Sequence, residues 1–176
     1  YHELSEFDKA IQYHNAALLI LKKQNVPSEF QSIATSLNNI GAVYQKSKDY
    51  GKALKYYKES LQSENILRDK PALYAALIDN IAYSEFKLKN YEFLPELFYQ
   101  ALDLRDSLKL YHGVVSSKLN LSEFYEYEKN IPLSRKFAKE AYVLAKEKKL
   151  SNEVLLSLKQ LSKVDPQNSS FYSSNY

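Results

Sequence analysis

The chain has 176 residues, of which 45% are hydrophobic and 26% charged, with three glycines, five prolines, no cysteine, no methionine and a formal charge of +3. This length suits one domain or one uninterrupted repeat array, and the composition belongs to a folded, helix-rich protein, which excludes a disordered chain. Absence of cysteine excludes disulfides and thiolate metal sites, and no apolar run is long enough to span a bilayer.

The opening residues read as the tail of a helix pair. Tyr1, Phe7 and Ala10 stand 43 residues before Tyr44, Tyr50 and Ala53. Residues 1–26 are therefore expected to be a partial repeat, and a chain that starts at Tyr1 with no methionine reads as a fragment of a longer one.

Residues 27–70 form the first full repeat. Ile33, Leu37, Ile40 and Tyr44 follow three- and four-residue steps, the stripe of a helix packed on one face. Ser47, Lys48 and Asp49 break it, and Asp49 is placed to cap a second helix whose inward positions are Ala53, Tyr57, Ser60 and Leu61. A connection this short forces the two helices antiparallel.

Residues 71–110 and 111–150 repeat the pattern. Leu37 to Leu61, Ile78 to Leu102 and Lys118 to Tyr142 superpose without a gap, with a small residue at Gly41, Ala82 and Ser122, hence periods of 41 and 40. Such a period points to a solenoid of stacked helix pairs. Asn90 and Asn130 take the capping place of Asp49. Pro132 suits the first turn of a helix, whereas Pro95 predicts a late helix start or a bend near Phe93 to Glu96. Pro27, Pro71 and Gly113 are expected in the connectors. Residues 151–176 read as a further partial repeat, in which Leu161, Ser162 and Phe171 follow Leu121, Ser122 and Ile131 by 40.

Lysines such as Lys22, Lys23, Lys46, Lys48, Lys87, Lys89, Lys146, Lys148 and Lys149 fall mostly near helix ends and not on one basic face, so nucleic acid is not an expected partner. His2, His14 and His112 match no two-histidine metal spacing, and His14 falls at an inward packing position. No phosphate loop or nucleophile elbow occurs. Glu123, Glu126 and Glu128 read as a solvated face. No enzyme activity, metal or cofactor is expected.

The ordered set Leu37, Ile40, Gly41, Tyr44, Tyr50, Ala53 and Tyr57, repeated as Ile78, Ile81, Ala82, Tyr91, Phe98 and Ala101 and as Leu121, Ser122, Tyr125, Ser134, Ala138 and Ala141, resembles the tetratricopeptide repeat family. Departures are Ser60 in a place usually given to alanine, Glu85 in an aromatic place with Phe86 one position later, Leu94 in a small place, and Lys118 in an apolar one. The period exceeds the family's usual 34, so each helix pair should be longer by one or two turns, as in long variants from bacterial regulatory and sensor proteins. The resemblance implies an all-α, right-handed superhelical solenoid of antiparallel helix pairs, TPR-like, that binds a protein or peptide and is not an enzyme.

In this family the first helix of each pair lines a concave groove. Counting from the small residue, one stripe holds Thr35, Asn39, Ala42 and Lys46, then Ala76, Asn80, Tyr83 and Lys87, then Ser116, Asn120, Glu123 and Tyr127, while Asn38, Gln45, Asp79 and Phe86 lie beside it. Lys159, Gln160 and Lys163 continue it. The expected peptide-binding residues are Asn38, Asn39, Ala42, Asp79, Asn80, Tyr83, Phe86, Asn120, Glu123 and Tyr127. Side-chain amides at Asn39, Asn80, Asn120 and Gln160 can bond an extended peptide's backbone, or bond their own repeats instead. The family's lysine clamp for a terminal carboxylate is missing: Asn38 with Ala42, Asp79 with Tyr83, and Leu119 with Glu123 stand at those positions. The expected role is the sensing or scaffolding part of a larger bacterial signalling regulator, leaning to a periplasmic region of a membrane-anchored protein with the cytoplasm as alternative. No direct membrane insertion is expected of this fragment. The competing reading is a structural oligomerisation module without a groove ligand, so a homo-oligomer is a possible partner state.

Overall fold

The computed structural model describes residues 9, 11–16, 18–20, 23, 30–63, 65–92 and 94–174. They fall into two compact units that divide between Leu94 and Pro95. The expectations for Tyr1, His2, Phe7, Ala10, Lys22, Pro27 and Phe93 lie outside the described residues. Among those described, the structure is all-helical, built of antiparallel helix pairs stacked in the manner of an α-solenoid.

In the first unit, helical residues between 9 and 23 precede α1 (Phe30–Lys46), α2 (Tyr50–Leu61), the one-turn α3 (Ile66–Asp69) and α4 (Pro71–Lys87). Leu18 packs with Leu37 and Ile40, and Ala34, Ala53, Tyr57, Ile66, Leu77 and Ile81 form the core that joins one pair to the next. The helices of the first pair cross closely at Gly41. A Cβ added there would meet Tyr57 Cε1 at 2.5 Å and Cδ1 at 2.7 Å, so only glycine admits the buried ring. Ser60 Oγ donates to the Ala34 carbonyl at 2.7 Å, a second close contact between α1 and α2.

The second unit contains α5 (Leu94–Ser107, less its first residue), α6 (Tyr111–Tyr127), α7 (Ile131–Glu147), α8 (Ser151–Val164), a 3-10 turn (Pro166–Asn168) and α9 (Ser169–Ser174). Ser122 and Ser134 stitch α6 to α7 reciprocally: each hydroxyl donates to the other's carbonyl, at 2.9 and 2.7 Å. Lys118, in an apolar register, is satisfied by an ion pair with Glu140 and lies 5.9 Å from the Phe137 ring centroid.

Several expectations at helix ends hold and others change. Asp49 and Asn130 cap α2 and α7 by accepting from Lys52 N at 3.1 Å and Leu133 N at 3.3 Å. Asn90 does not cap. The following helix starts late, at Leu94 with Pro95 in its first turn, and the Asn90 amide nitrogen donates to Glu85 Oε2 at 2.7 Å. Pro71 opens α4 as its first residue. Gly113 is not in a connector: it lies inside α6, where a Cβ would meet Arg105 Cδ at 2.8 Å, so its role is to admit the buried Arg105 side chain.

Five connections between described long helices, four of three residues and the longer one after α4, use one device. Lys48, Lys89, Lys109, Lys129 and Lys149 have φ of 64°, 65°, 55°, 59° and 57°, in the left-handed region usually given to glycine. The next residue's N–H, from Asp49, Asn90, Leu110, Asn130 and Leu150, returns to the carbonyl five positions back at 2.9 Å. This backbone loop ends the helix without any side-chain signal. Lysine at these sites carries a steric cost, so Lys129→Gly is expected to raise stability by about 0.5–1 kcal/mol in urea denaturation. A loss would show that the lysine stem supplies packing the backbone does not.

At the end of α8, Asp165 is almost fully buried and accepts from Tyr172 Oη at 2.8 Å and Asn168 Nδ2 at 3.2 Å, with Arg135 and Lys139 nearby at 3.6 and 3.8 Å. The Tyr172 hydrogen bond, then that of Asn168, and the two cations hold its carboxyl below the usual range against the opposing effect of burial. A depressed carboxyl stabilises fully above the unfolded value, about 3.9, and that contribution is lost as pH falls through the lower folded value. Hydrogen exchange in residues 166–174 should therefore accelerate in that acid window. In Asp165→Asn it should be faster at neutral pH and lose the acid step; an unchanged profile would contradict the role of the carboxylate.

Candidate functional site

Each first helix is buried over much of its surface, so only a narrow strip meets solvent. In α4 the buried residues are Ala75, Leu77, Ile78, Asp79, Ile81, Ala82, Ser84 and Phe86. Ala76, Asn80, Tyr83 and Lys87 are left half-buried. The same register in α1 leaves Thr35 and Asn39 half-buried and Ala42 and Lys46 exposed; in α6 it leaves Asn120 and Glu123 half-buried and Ser116 and Tyr127 exposed. No residue of the stripe on α1, α4 or α6 is buried.

The neighbouring register behaves differently, and two of the expected groove residues change role. Asp79 is 1% exposed and Phe86 6%, because Ala75, Ile78, Asp79, Ala82 and Phe86 follow helical spacing along a buried face of α4. They contribute to packing and do not present side chains to a groove ligand. Asn38 is half-buried and accepts from Asn80 Nδ2 at 3.4 Å, a long bond between successive first helices. Gln160, which extends the amide series, is also buried: its Nε2 donates to Ser122 Oγ at 3.2 Å and Glu126 Oε2 at 2.8 Å. It pins α8 to α6 and leaves the stripe.

What remains accessible in the first unit is Asn39, Ala42, Asn80 and Tyr83. The Asn39 side chain makes no hydrogen bond among the described residues, and Asn80 keeps its carbonyl oxygen and second N–H beyond the long bond to Asn38. Tyr83 is held edge-on by Tyr50, with ring centroids 6.3 Å apart, and by Phe86 at 6.4 Å, while the Lys87 ammonium lies 4.9 Å from its centroid. In the second unit Asn120, Glu123 and Tyr127 share the equivalent strip of α6.

Charge near the strip is largely matched. Burial tends to raise the Glu85 carboxyl, but hydrogen bonds from Lys58 at 2.8 Å and from Asn90 outweigh it and hold it lowered. Lys70 Nζ donates to Thr35 Oγ1 at 3.2 Å. His14 is half-buried and His112 is exposed, its Nδ1 beside Glu153. Among the described residues no group of three or more His, Cys, Asp or Glu is placed to hold a metal ion, and no helix is long and apolar enough to cross a membrane.

An aromatic cluster shared by α5, α6 and α7 is a feature that sequence reading missed. Tyr125 stacks on Phe137 at 5.8 Å, Tyr99 leans on Phe137 at 6.1 Å, and the Tyr99 and Tyr125 hydroxyls are 3.0 Å apart. Burial, then the bond to Tyr125 and the Glu140 charge, push the Tyr99 phenol up. The recurring aromatics at these positions were the available signal, but periodicity does not reveal that they meet across helices.

Comparison with known proteins agrees with this architecture. No curated protein matches the chain in sequence. BtubC (BKLC) from P. vanneervenii superposes with a TM-score of 0.70 over 94% of this chain and 70% of that one, at 16% identity, a likeness of fold alone. Residues 1–63 match the family described as tetratricopeptide repeat.

Proposed function

We propose that the chain is a non-catalytic protein-binding array whose first helices offer their solvent strip to an extended segment of a partner. Asn39, Ala42, Asn80 and Tyr83 are the contacts in the first unit; Asn120, Glu123 and Tyr127 serve the same purpose in the second. The observation that carries this reading is the strip itself, accessible in all three first helices while the adjacent register is buried in α4, with the Asn39 amide uncommitted among the described residues. Amides that both donate and accept suit a peptide backbone of any sequence, and a fixed tyrosine gives such a segment an apolar anchor. Protein binding is the general use of tetratricopeptide repeats, and the first 63 residues match that family.

Repeats at 27–70, 71–110 and 111–150, flanked by partial ones at 1–26 and 151–176, fit the 17-residue helices α1, α4, α6 and α7 and support a long-period variant. On this reading the chain is the sensing or scaffolding part of a larger bacterial signalling regulator. A random peptide library panned against the chain tests the strip. Selected peptides are expected to lose about tenfold or more in affinity to the Asn80→Ala/Tyr83→Ala variant, with helicity unchanged. Equal affinity for both proteins would reject it.

A further inference from the structure

We propose that Tyr99 and Tyr125 form an oxidative crosslinking site, at which a one-electron oxidant of the peroxidase class joins the two rings by a carbon-carbon bond and ties α5 to α6. Their hydroxyls are 3.0 Å apart, on helices of the same compact unit. Phe137 of α7 fixes both rings. Tyr125 stacks on it with centroids 5.8 Å apart and planes within 3°, and Tyr99 leans on it at 6.1 Å. Tyr99 is 36% exposed and Tyr125 half-buried, so an oxidant reaches the pair from solvent while the buried Phe137 backs it. The chain has no cysteine, so oxidation cannot tie its helices through a disulfide.

The chemistry balances with hydrogen peroxide as the terminal oxidant. Each phenol gives one electron to the peroxidase haem and one proton to water, which leaves two phenoxyl radicals. The radicals pair at the ring carbons next to the oxygens, and the hydrogens on those carbons return through water to the oxygens as both rings regain aromaticity. Two tyrosines and one hydrogen peroxide thus give one dityrosine and two waters. In that product the hydroxyls stand on carbons beside the new bond, within hydrogen-bonding reach of each other. The hydroxyl contact of Tyr99 and Tyr125 therefore holds the oxygens as the product does, and two radicals held in that way couple with each other ahead of any encounter between chains. Tyr44 and Tyr56 also stack, at 5.5 Å, but no hydroxyl contact joins them among the described residues. Tyr127, 51% exposed, is open to coupling between chains, which dilution suppresses.

The test treats the dilute whole chain with a haem peroxidase and hydrogen peroxide. The expected product is a monomer lighter by two hydrogens, with dityrosine fluorescence, in which proteolytic mapping joins the peptides that carry Tyr99 and Tyr125. Tyr99→Phe and Tyr125→Phe should each lower the yield of this monomer by about tenfold or more, and Tyr44→Phe should leave it unchanged. Each substitution removes only a hydroxyl, so circular dichroism of the variants should match the parent. A monomeric product that persists in Tyr99→Phe, a dominant link between Tyr44 and Tyr56, or crosslinks that form only between chains and vanish on dilution would overturn the proposal. So would the absence of any crosslink at a peroxide dose that couples free N-acetyltyrosine.

Discussion

Tyr57→Ala is expected to lower stability by about 3–5 kcal/mol, the range for emptying a fully buried aromatic site, and this is comparable with the whole stability of many domains. Tyr57 has no exposed surface, packs with Leu77 and Ile81 of the following first helix, and donates its hydroxyl to Gln45 Oε1 at 3.0 Å. Burial pushes its phenol up, so it stays neutral at any working pH. Tyr57→Phe removes only the hydroxyl and should cost about 1 kcal/mol. A double-mutant cycle with Gly41 identifies the cause. Gly41→Ala in the parent forces a methyl against the ring and should cost about 1–3 kcal/mol; in the Tyr57→Ala background the methyl has room and should stabilise by about 0.5–1 kcal/mol through helix propensity. The sign reversal, read from urea midpoints, is the expected result; an identical cost in both backgrounds would place the strain elsewhere.

Arg105→Ala is expected to cost about 2–4 kcal/mol. The side chain is 7% exposed in the last turn of α5, and Nη1 donates to the Gly113 carbonyl at 3.1 Å and the Ser117 hydroxyl at 2.7 Å. Its removal strands buried acceptors and leaves a void over the first turn of α6. Arg105→Lys keeps the charge but not the planar fork, so it should recover only part of the loss. Gly113→Ala, which sets a Cβ 2.8 Å from Arg105 Cδ, should destabilise by about 1–3 kcal/mol in the parent and much less in Arg105→Ala. Equal effects of Gly113→Ala in both backgrounds would mean that the glycine serves the helix start and not the arginine.

The helix pairs were legible in the sequence because spacing of Leu37, Ile40, Tyr44 and Tyr57 is fixed by the helix period, and Asp49 and Pro132 mark helix starts by local chemistry. Three kinds of feature were not. Helix ends at Lys48, Lys89 and Lys129 depend on a left-handed residue that is usually glycine, so lysine gave no warning. Gly113 looks like any connector glycine until Arg105, eight residues earlier, is seen to lie on it. Asp79 and Phe86 lie one helical position from accessible residues, and only their burial in α4 shows that they face inward. The strip at Asn39, Asn80 and Tyr83 was legible because its register follows from Gly41 and Ala82. The bond from Asn80 to Asn38 was not, since amides facing solvent and amides facing each other have the same spacing.

The most direct measurement of whether the solvent strip of the first helices is the working surface is a map of amide and side-chain chemical-shift changes on titrating the chain with a peptide selected from the random library. Changes are expected to centre on Asn39, Ala42, Asn80 and Tyr83 in the first unit or on Asn120, Glu123 and Tyr127 in the second. Changes centred on exposed residues of the second helices, such as Lys58 or Lys136, with the asparagine amides unmoved, would contradict it.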